Sequence, residues 1–177
     1  ISAPVLLFEA LARRVERESL ELWRDLSHDW GLDTGRRLVI ALETEGAEQT
    51  LPQQAMRDVT ERISSALRDQ GWGLVDFDFT HADRGVLHVQ LRGSALATLR
   101  TKGDRSCHFL AGMLEALLNH LAGRRLHVEE VSCACRGRQD HCDLIVVGEA
   151  RRERVAALAE AGLDFAAVLG ELEAGCD

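Results

Sequence analysis

The 177-residue chain is 46% hydrophobic and 28% charged, with a net charge of −8. That is enough apolar material for one packed domain, and too short a chain to presume two. The acidic balance speaks against nucleic acid as the main partner, and no stretch reaches the roughly 20 apolar residues of a membrane span.

Val5, Leu6, Phe8, Leu11, Val15, Leu20, Trp23, Leu26 and Trp30 recur at three-to-four-residue spacing. They predict one long helix over residues 3–30, with Gly31 as its stop. The opening APVLLFEALARRVER places its basic residues after the apolar run, the reverse of a secretory signal. A cytoplasmic location is therefore expected, where thiols stay reduced and clustered cysteines favour metal or redox chemistry over disulfides. RRLVIAL, residues 36–42, fits a buried strand or a short helix, and the polar ETEGAEQTLPQQ follows. A second helix is predicted from about 53 to 70, with Met56, Val59, Ile63 and Leu67 on one face and Gly71 at its end.

Val75, Phe77 and Phe79 alternate with polar residues, and HADRG then turns the chain into VLHVQLRG. This is an antiparallel hairpin. Leu110, Met113, Leu114, Leu117, Leu118 and Leu121 mark a helix over about 106–121, capped by Gly123. RLHVEEVSC and CDLIVVG read as two more strands joined by a polar connection, and a last helix is expected over about 150–173. Helices, hairpin, helix, hairpin and helix make an α+β chain with an antiparallel sheet of about four strands.

The stretch VEEVSCACRGRQDHCDLIVV holds Cys133, Cys135 and Cys142, three of the five cysteines. Cys133 and Cys142 flank a hairpin connection, which can bring both sulfurs to one ion. Glu129, Glu130 and Cys107, at the start of a helix, are candidate helpers. Zinc takes four ligands from thiolate, imidazole or carboxylate, and a helix N-terminus favours a thiolate. In a regular strand Glu129, Cys133 and Cys135 share one face while Glu130 takes the other. Ligation by Glu130 together with Cys133 therefore requires the strand to end, twist or bulge between them. Three buried thiols, or a redox switch, are the other readings of the same cluster.

Residues 107–148, CHFLAGMLEALLNHLAGRRLHVEEVSCACRGRQDHCDLIVVG, resemble the 4-vinyl reductase domain family. The shared features are a Cys, an apolar helix, a glycine-linked strand into E-x-x-C, and a second Cys after a short loop. LRDQGWGLVDF and VLHVQLRGSALA also look like the family's middle section. Sensory domains of phenol-responsive activators are relatives, and the family fold is similar to that of small TRAPP vesicle-tethering subunits. The resemblance implies a single domain over 1–177: a helical, dimerising region at 1–52, the family-like core at 53–148 and a C-terminal helix at 149–177. It implies zinc ligands at Cys107, Glu130, Cys133 and Cys142. The loop from Gly137 to Cys142 is one residue longer than the family pattern, so a set with Cys135 and Glu129 in place of Cys133 and Glu130 stands second.

Three thiolates and a carboxylate fill a zinc coordination sphere, which makes the expected site structural. Arg105, Arg136 and Arg138 are near in sequence to offset its charge. His108, His120, His127 and His141 surround the cluster, either as a substitute ligand or as surface residues. Trp72, Phe77, Phe109, Met113 and Leu117, together with Phe79, would line a cavity between sheet and helix, or form a solid core. No phosphate loop or acid/base pair is evident, so no catalytic residue is assigned. Cys176 reads as an incidental thiol. The apolar last helix must pack on its own domain or on a second subunit.

The expected function is a zinc-stapled module that binds a small apolar or aromatic molecule, acts through a protein partner and forms a homodimer. A scaffold subunit with a filled core, or an enzyme accessory in tetrapyrrole metabolism, are the alternatives.

Overall fold

The computed structural model describes residues 3–44, 50–99, 105–136 and 139–174. Gly137, Arg138 and Cys176 lie outside the described residues. In chain order the elements are α1 (Ala3–Glu16), α2 (Leu20–Thr44), α3 (Met56–Asp69), β1 (Leu74–Asp78), β2 (Val86–Arg92), α4 (Ala95–Leu99), α5 (His108–Ala122), β3 (Leu126–Ser132), β4 (His141–Gly148), α6 (Arg152–Glu160) and α7 (Phe165–Ala174). The four strands form one antiparallel sheet in the order β1-β2-β4-β3.

Alternation along the strands builds two cores. Val89, Leu91, Val128, Cys142, Leu144 and Val146 face the side covered by α3 and α5. Val86, Val131, Ile145 and Val147 face the other side, where Val155, Ala159, Val168 and Leu172 of α6 and α7 pack against them. The two hairpins and the α+β class are as the sequence predicts.

The helices differ from expectation at three places. Residues 3–30 are two helices, broken after Glu16, and α2 runs unbroken through Gly31 and the ambiguous RRLVIAL to Thr44. Gly31 does not end a helix because its role is contact. A Cβ there would overlap the Phe109 carbonyl of α5, one on Gly35 would overlap Met113, and one on Gly112 would overlap His28 of α2. The two backbones cross nearly touching, as only glycine allows. The last helix is likewise split, at Gly162, whose φ of +78° is left-handed.

β3 is an edge strand, and its outward backbone groups are taken up by side chains on or beside α5. Asn119 Oδ1 accepts from Leu126 N at 2.6 Å, Glu115 Oε2 accepts from Val128 N at 3.0 Å, and Arg105 Nη1 donates to Glu130 O at 2.8 Å. These contacts hold the start of α5 beside β3 and block pairing with another strand. They also fix the geometry of the cysteine cluster.

Candidate metal centre

Cys107 is the N-cap residue of α5, Glu130 is on β3, Cys133 follows β3, and Cys142 is the second residue of β4. A ligand atom from each lies within 4.8 Å of every other, and all four residues are buried. The sulfurs of Cys107 and Cys142 are 3.6 Å apart, and those of Cys142 and Cys133 are 3.7 Å apart. A tetrahedron with zinc–sulfur arms of about 2.3 Å has edges of about 3.8 Å, whereas a disulfide would need about 2.05 Å. The spacing therefore suits sulfurs around an ion.

Glu130 and Cys133 meet because β3 bulges. The pairing with β4 runs Glu129↔Ile145 and Glu130↔Leu144 and then steps to Ser132↔Asp143, leaving Val131 without a partner. One extra residue reverses the alternation, so Cys133 comes to the same side as Glu130. Glu129 points the other way, to Arg105 and His127. The arrangement thus brings together Cys107, Glu130, Cys133 and Cys142, and leaves Glu129 and the half-buried Cys135 outside. None of the histidines enters this group. His120 contacts Glu43 at 2.8 Å, His127 contacts Glu115 and Glu129, and His141 contacts Asp140 at 2.9 Å. Arg105 does not approach the ligand atoms as a counter-charge; it holds the Glu130 carbonyl and pairs with Glu129 and Glu160.

Further groups surround the sulfurs. Ser94 Oγ lies 3.4 Å from Cys107 Sγ and Ser106 Oγ 3.3 Å from Cys133 Sγ, while Ala134 N donates to Cys142 Sγ at 3.3 Å. Glu130 Oε2 accepts from Cys107 N at 2.8 Å, but its Oε1 is buried without a hydrogen-bond partner. Burial, then the adjacent Cys133 charge, pushes the Glu130 carboxyl well above its usual range. Hydrogen bonding to Cys133 and Cys142, followed by burial, raises the Cys107 thiol. Hydrogen bonds from Cys107 and Cys142 favour a thiolate at Cys133. Four acidic groups thus converge with no cation among them, and all but one are held protonated. A bound divalent cation inverts that balance and turns thiols into thiolates. The donor set therefore fits a metal ion, and the orphaned Oε1 is the oxygen left to reach it.

On the opposite face of the sheet, Asp143 gathers the ends of the same hairpin. Its Oδ2 accepts from Ser132 Oγ at 2.6 Å and Gln139 Nε2 at 2.7 Å, and its Oδ1 from His88 Nε2 at 2.9 Å. These bonds, after opposing burial, lower its pKa to about 2. Phe165 of α7 stacks on His88 with ring centres 3.7 Å apart. Ser132 follows the bulge directly, so Asp143 pins the register that unites Glu130 with Cys133. The sequence signals that a bulge is needed, through the parity of E-x-x-C, but nothing in it marks Asp143.

The apolar candidates divide. Phe109, Met113 and Leu117 are buried in the main core, Trp72 packs on Phe109 at 4.8 Å between ring centres, and Phe77 is half-buried. Phe79 lies beyond β1 and is 40% exposed, so it lines nothing. An open cleft of about 400 Å³ between α2 and α6 is lined instead by charged groups, among them Arg24, His28, Arg105, His127, Glu129 and Glu160.

Residues 87–147 match the 4-vinyl reductase domain family. A comparison with curated protein sequences returned no match. Among solved structures, the phenol-responsive sensory domain of the transcription activator PoxR, bound to phenol, superposes with a TM-score of 0.65 at 18% identity, covering 88% of this chain and 80% of that one. Subunit 3 of the trafficking protein particle complex from Naegleria fowleri, covalently bound to palmitic acid, gives 0.64 at 13% identity over 81% of this chain and 91% of that one. A vinyl-4-reductase family protein from Methanocaldococcus jannaschii gives 0.51 at 18% identity over 68% and 66%. The chain carries a 4-vinyl reductase domain, matched at residues 87–147, in a fold it shares with a sensory domain and a trafficking-complex subunit.

Proposed function

We propose that this chain is a zinc-stapled binding module that takes a small apolar or aromatic molecule between its sheet and helices and acts through a partner. The observation that carries the staple is the convergence of three buried sulfurs at tetrahedral spacing with one orphaned carboxylate oxygen. Zinc bound by Cys107, Glu130, Cys133 and Cys142 would tie the start of α5 to both strands of the second hairpin, with no position left for water. Such an ion supplies cohesion and no reaction.

The ligand part of the reading rests on the fold shared with a domain solved with phenol and on the Trp72, Phe77, Phe109, Met113 and Leu117 set. Phe109, Met113 and Leu117 are fully packed, which favours a second reading: a scaffold subunit whose core is filled. Leu22, Leu26, Trp30 and Ile40 are exposed along α2, and this apolar stripe is the face proposed for a homodimer.

Metal analysis and extraction test the proposal together. The purified chain is expected to carry about one zinc per chain, and less than about half an equivalent counts against the staple. Mass spectrometry of an organic extract separates binder from scaffold. A bound apolar or aromatic compound, lost on Phe109→Ala, supports the first; an empty extract, with no thermal shift from phenols or fatty acids, leaves the scaffold.

A further inference from the structure

We propose that Cys133 and Cys135 form a two-electron redox pair through which a hydroperoxide withdraws one sulfur from the metal site. The inference rests on the zinc reading above and adds an off-switch to it. Cys107, Cys133 and Cys142 are at most 1% exposed, whereas Cys135 is half-buried, in the turn Ala134–Arg136. The Cys135 thiol hydrogen-bonds to the Cys133 sulfur, so the thiol outside the ligand group already touches a thiol within it. The backbone is wound to match, with Arg136 N donating to Cys133 O at 3.0 Å. Two residues of such a turn advance only about 4 Å along its axis, which keeps their Cα atoms inside the window of about 4.4–6.8 Å that a disulfide needs.

The chemistry balances with peroxide as the sole oxidant. The Cys133 thiolate attacks one peroxide oxygen; the S–O bond forms, the O–O bond breaks and hydroxide leaves. Cys133 is now a sulfenic acid. The Cys135 sulfur then displaces its hydroxyl; the S–S bond forms, the S–O bond breaks, and the Cys135 thiol proton departs with the hydroxyl as water. Two sulfurs lose two electrons in all, and one hydrogen peroxide becomes water and hydroxide. The site is left with three of its four ligands. A dithiol reductant reverses the change, because the oxidation stops at the disulfide.

The sequence makes the pair directly readable. Trypsin cuts after Arg125 and Arg136, and the fragment LHVEEVSCACR contains Cys133, Cys135 and no other cysteine. The full chain is loaded with zinc, its content measured, and hydrogen peroxide added while a chromophoric chelator reports released metal. Wild type is expected to release zinc at least about 10-fold faster than Cys135→Ser or Cys135→Ala, since these lack the resolving thiol. The wild-type fragment then appears about 2 Da light and unalkylated, and dithiothreitol restores zinc uptake. Equal release rates overturn the pair, as does a disulfide joining Cys142 to Cys107 or Cys133. A Cys135→Ser chain that no longer takes up zinc makes Cys135 a ligand and also overturns it. A wild-type chain that takes up no zinc before peroxide is added fails the zinc reading, and this proposal with it.

Discussion

Glu129 and Glu130 are neighbours in the chain and opposites in environment. Glu129 belongs to a run of alternating charges: Arg24 and Arg105 on Glu160, Arg105 on Glu129, and His127 between Glu129 and Glu115, with His28 3.5 Å from Glu115. Every buried charge there meets its opposite, and the Glu129 carboxyl, against the pull of burial, is held below its usual range by His127 and Arg105. Glu130 meets only acids. It is 1% exposed, one of its oxygens has no hydrogen-bond partner, and its pKa is driven up. An uncompensated buried charge is among the costliest features a fold can hold. The first cluster is complete as the chain folds, and the second becomes so when a cation enters.

Stripping the metal breaks the comparison most severely. With a strong chelator the melting temperature is expected to fall by more than about 10 °C, since several kcal/mol of binding is lost and each shifts a chain of this size by about 2–4 °C. Calorimetry with and without chelator measures it, and a shift below about 2 °C would deny the cation any structural part. Asp143→Ala comes next. It leaves His88, Ser132 and Gln139 without their buried acceptor, at a cost of about 3 kcal/mol by denaturant unfolding. Because Ser132 then no longer pins the bulge, zinc affinity should also drop about 10-fold in a competition titration.

The strands and hairpins were legible in the sequence because alternation is a local property, and Val86 to Leu91 or Cys142 to Val147 carry it openly. Gly31 was misleading for the opposite reason. A glycine that ends a helix and one that admits a crossing helix look alike until the partner is known, and Gly112 lies 81 positions away. The cysteine spacing located the metal cluster and implied a bulge, whereas its position at Val131 depends on the Ser132–Asp143 pairing. The Glu115–His127 contact joins a helix to a strand across a glycine turn, and no periodicity connects the two. Polar networks between elements are read from packing.

Replacing each glutamate by its amide sharpens the contrast through signs, with effects of about 1 kcal/mol. Glu130→Gln is expected to destabilise the zinc-loaded chain, and to stabilise the chelated chain slightly, because a buried acid without a partner is removed. Glu129→Gln should destabilise both forms, since Arg105 and His127 lose a charge partner whether or not metal is present. Unfolding curves of the two variants with and without chelator give four values. The same sign for Glu130→Gln in both conditions would refute the claim that its cluster is incomplete without a cation.

The smallest expected effect is a pH dependence confined to the self-paired cluster. Burial alone would lower the His127 pKa, but hydrogen bonds to Glu115 and Glu129 raise it from 6.5 to about 9. Glu115, also opposed by burial, is lowered from 4.5 to about 2 by His127 and His28. A raised histidine stabilises fully below its unfolded value and loses that contribution as pH climbs through its folded value. A lowered carboxylate stabilises above its unfolded value and loses it as pH falls through its folded one. The pair therefore contributes most between about pH 4.5 and 6.5, and fades from 6.5 to 9 and from 4.5 to 2. In zinc-loaded protein, the difference in melting temperature between wild type and His127→Gln should be greatest near pH 6 and shrink steadily toward pH 9. A difference that stays constant across that range would mean that His127 contributes packing alone, and that its charge is not what balances Glu115 and Glu129.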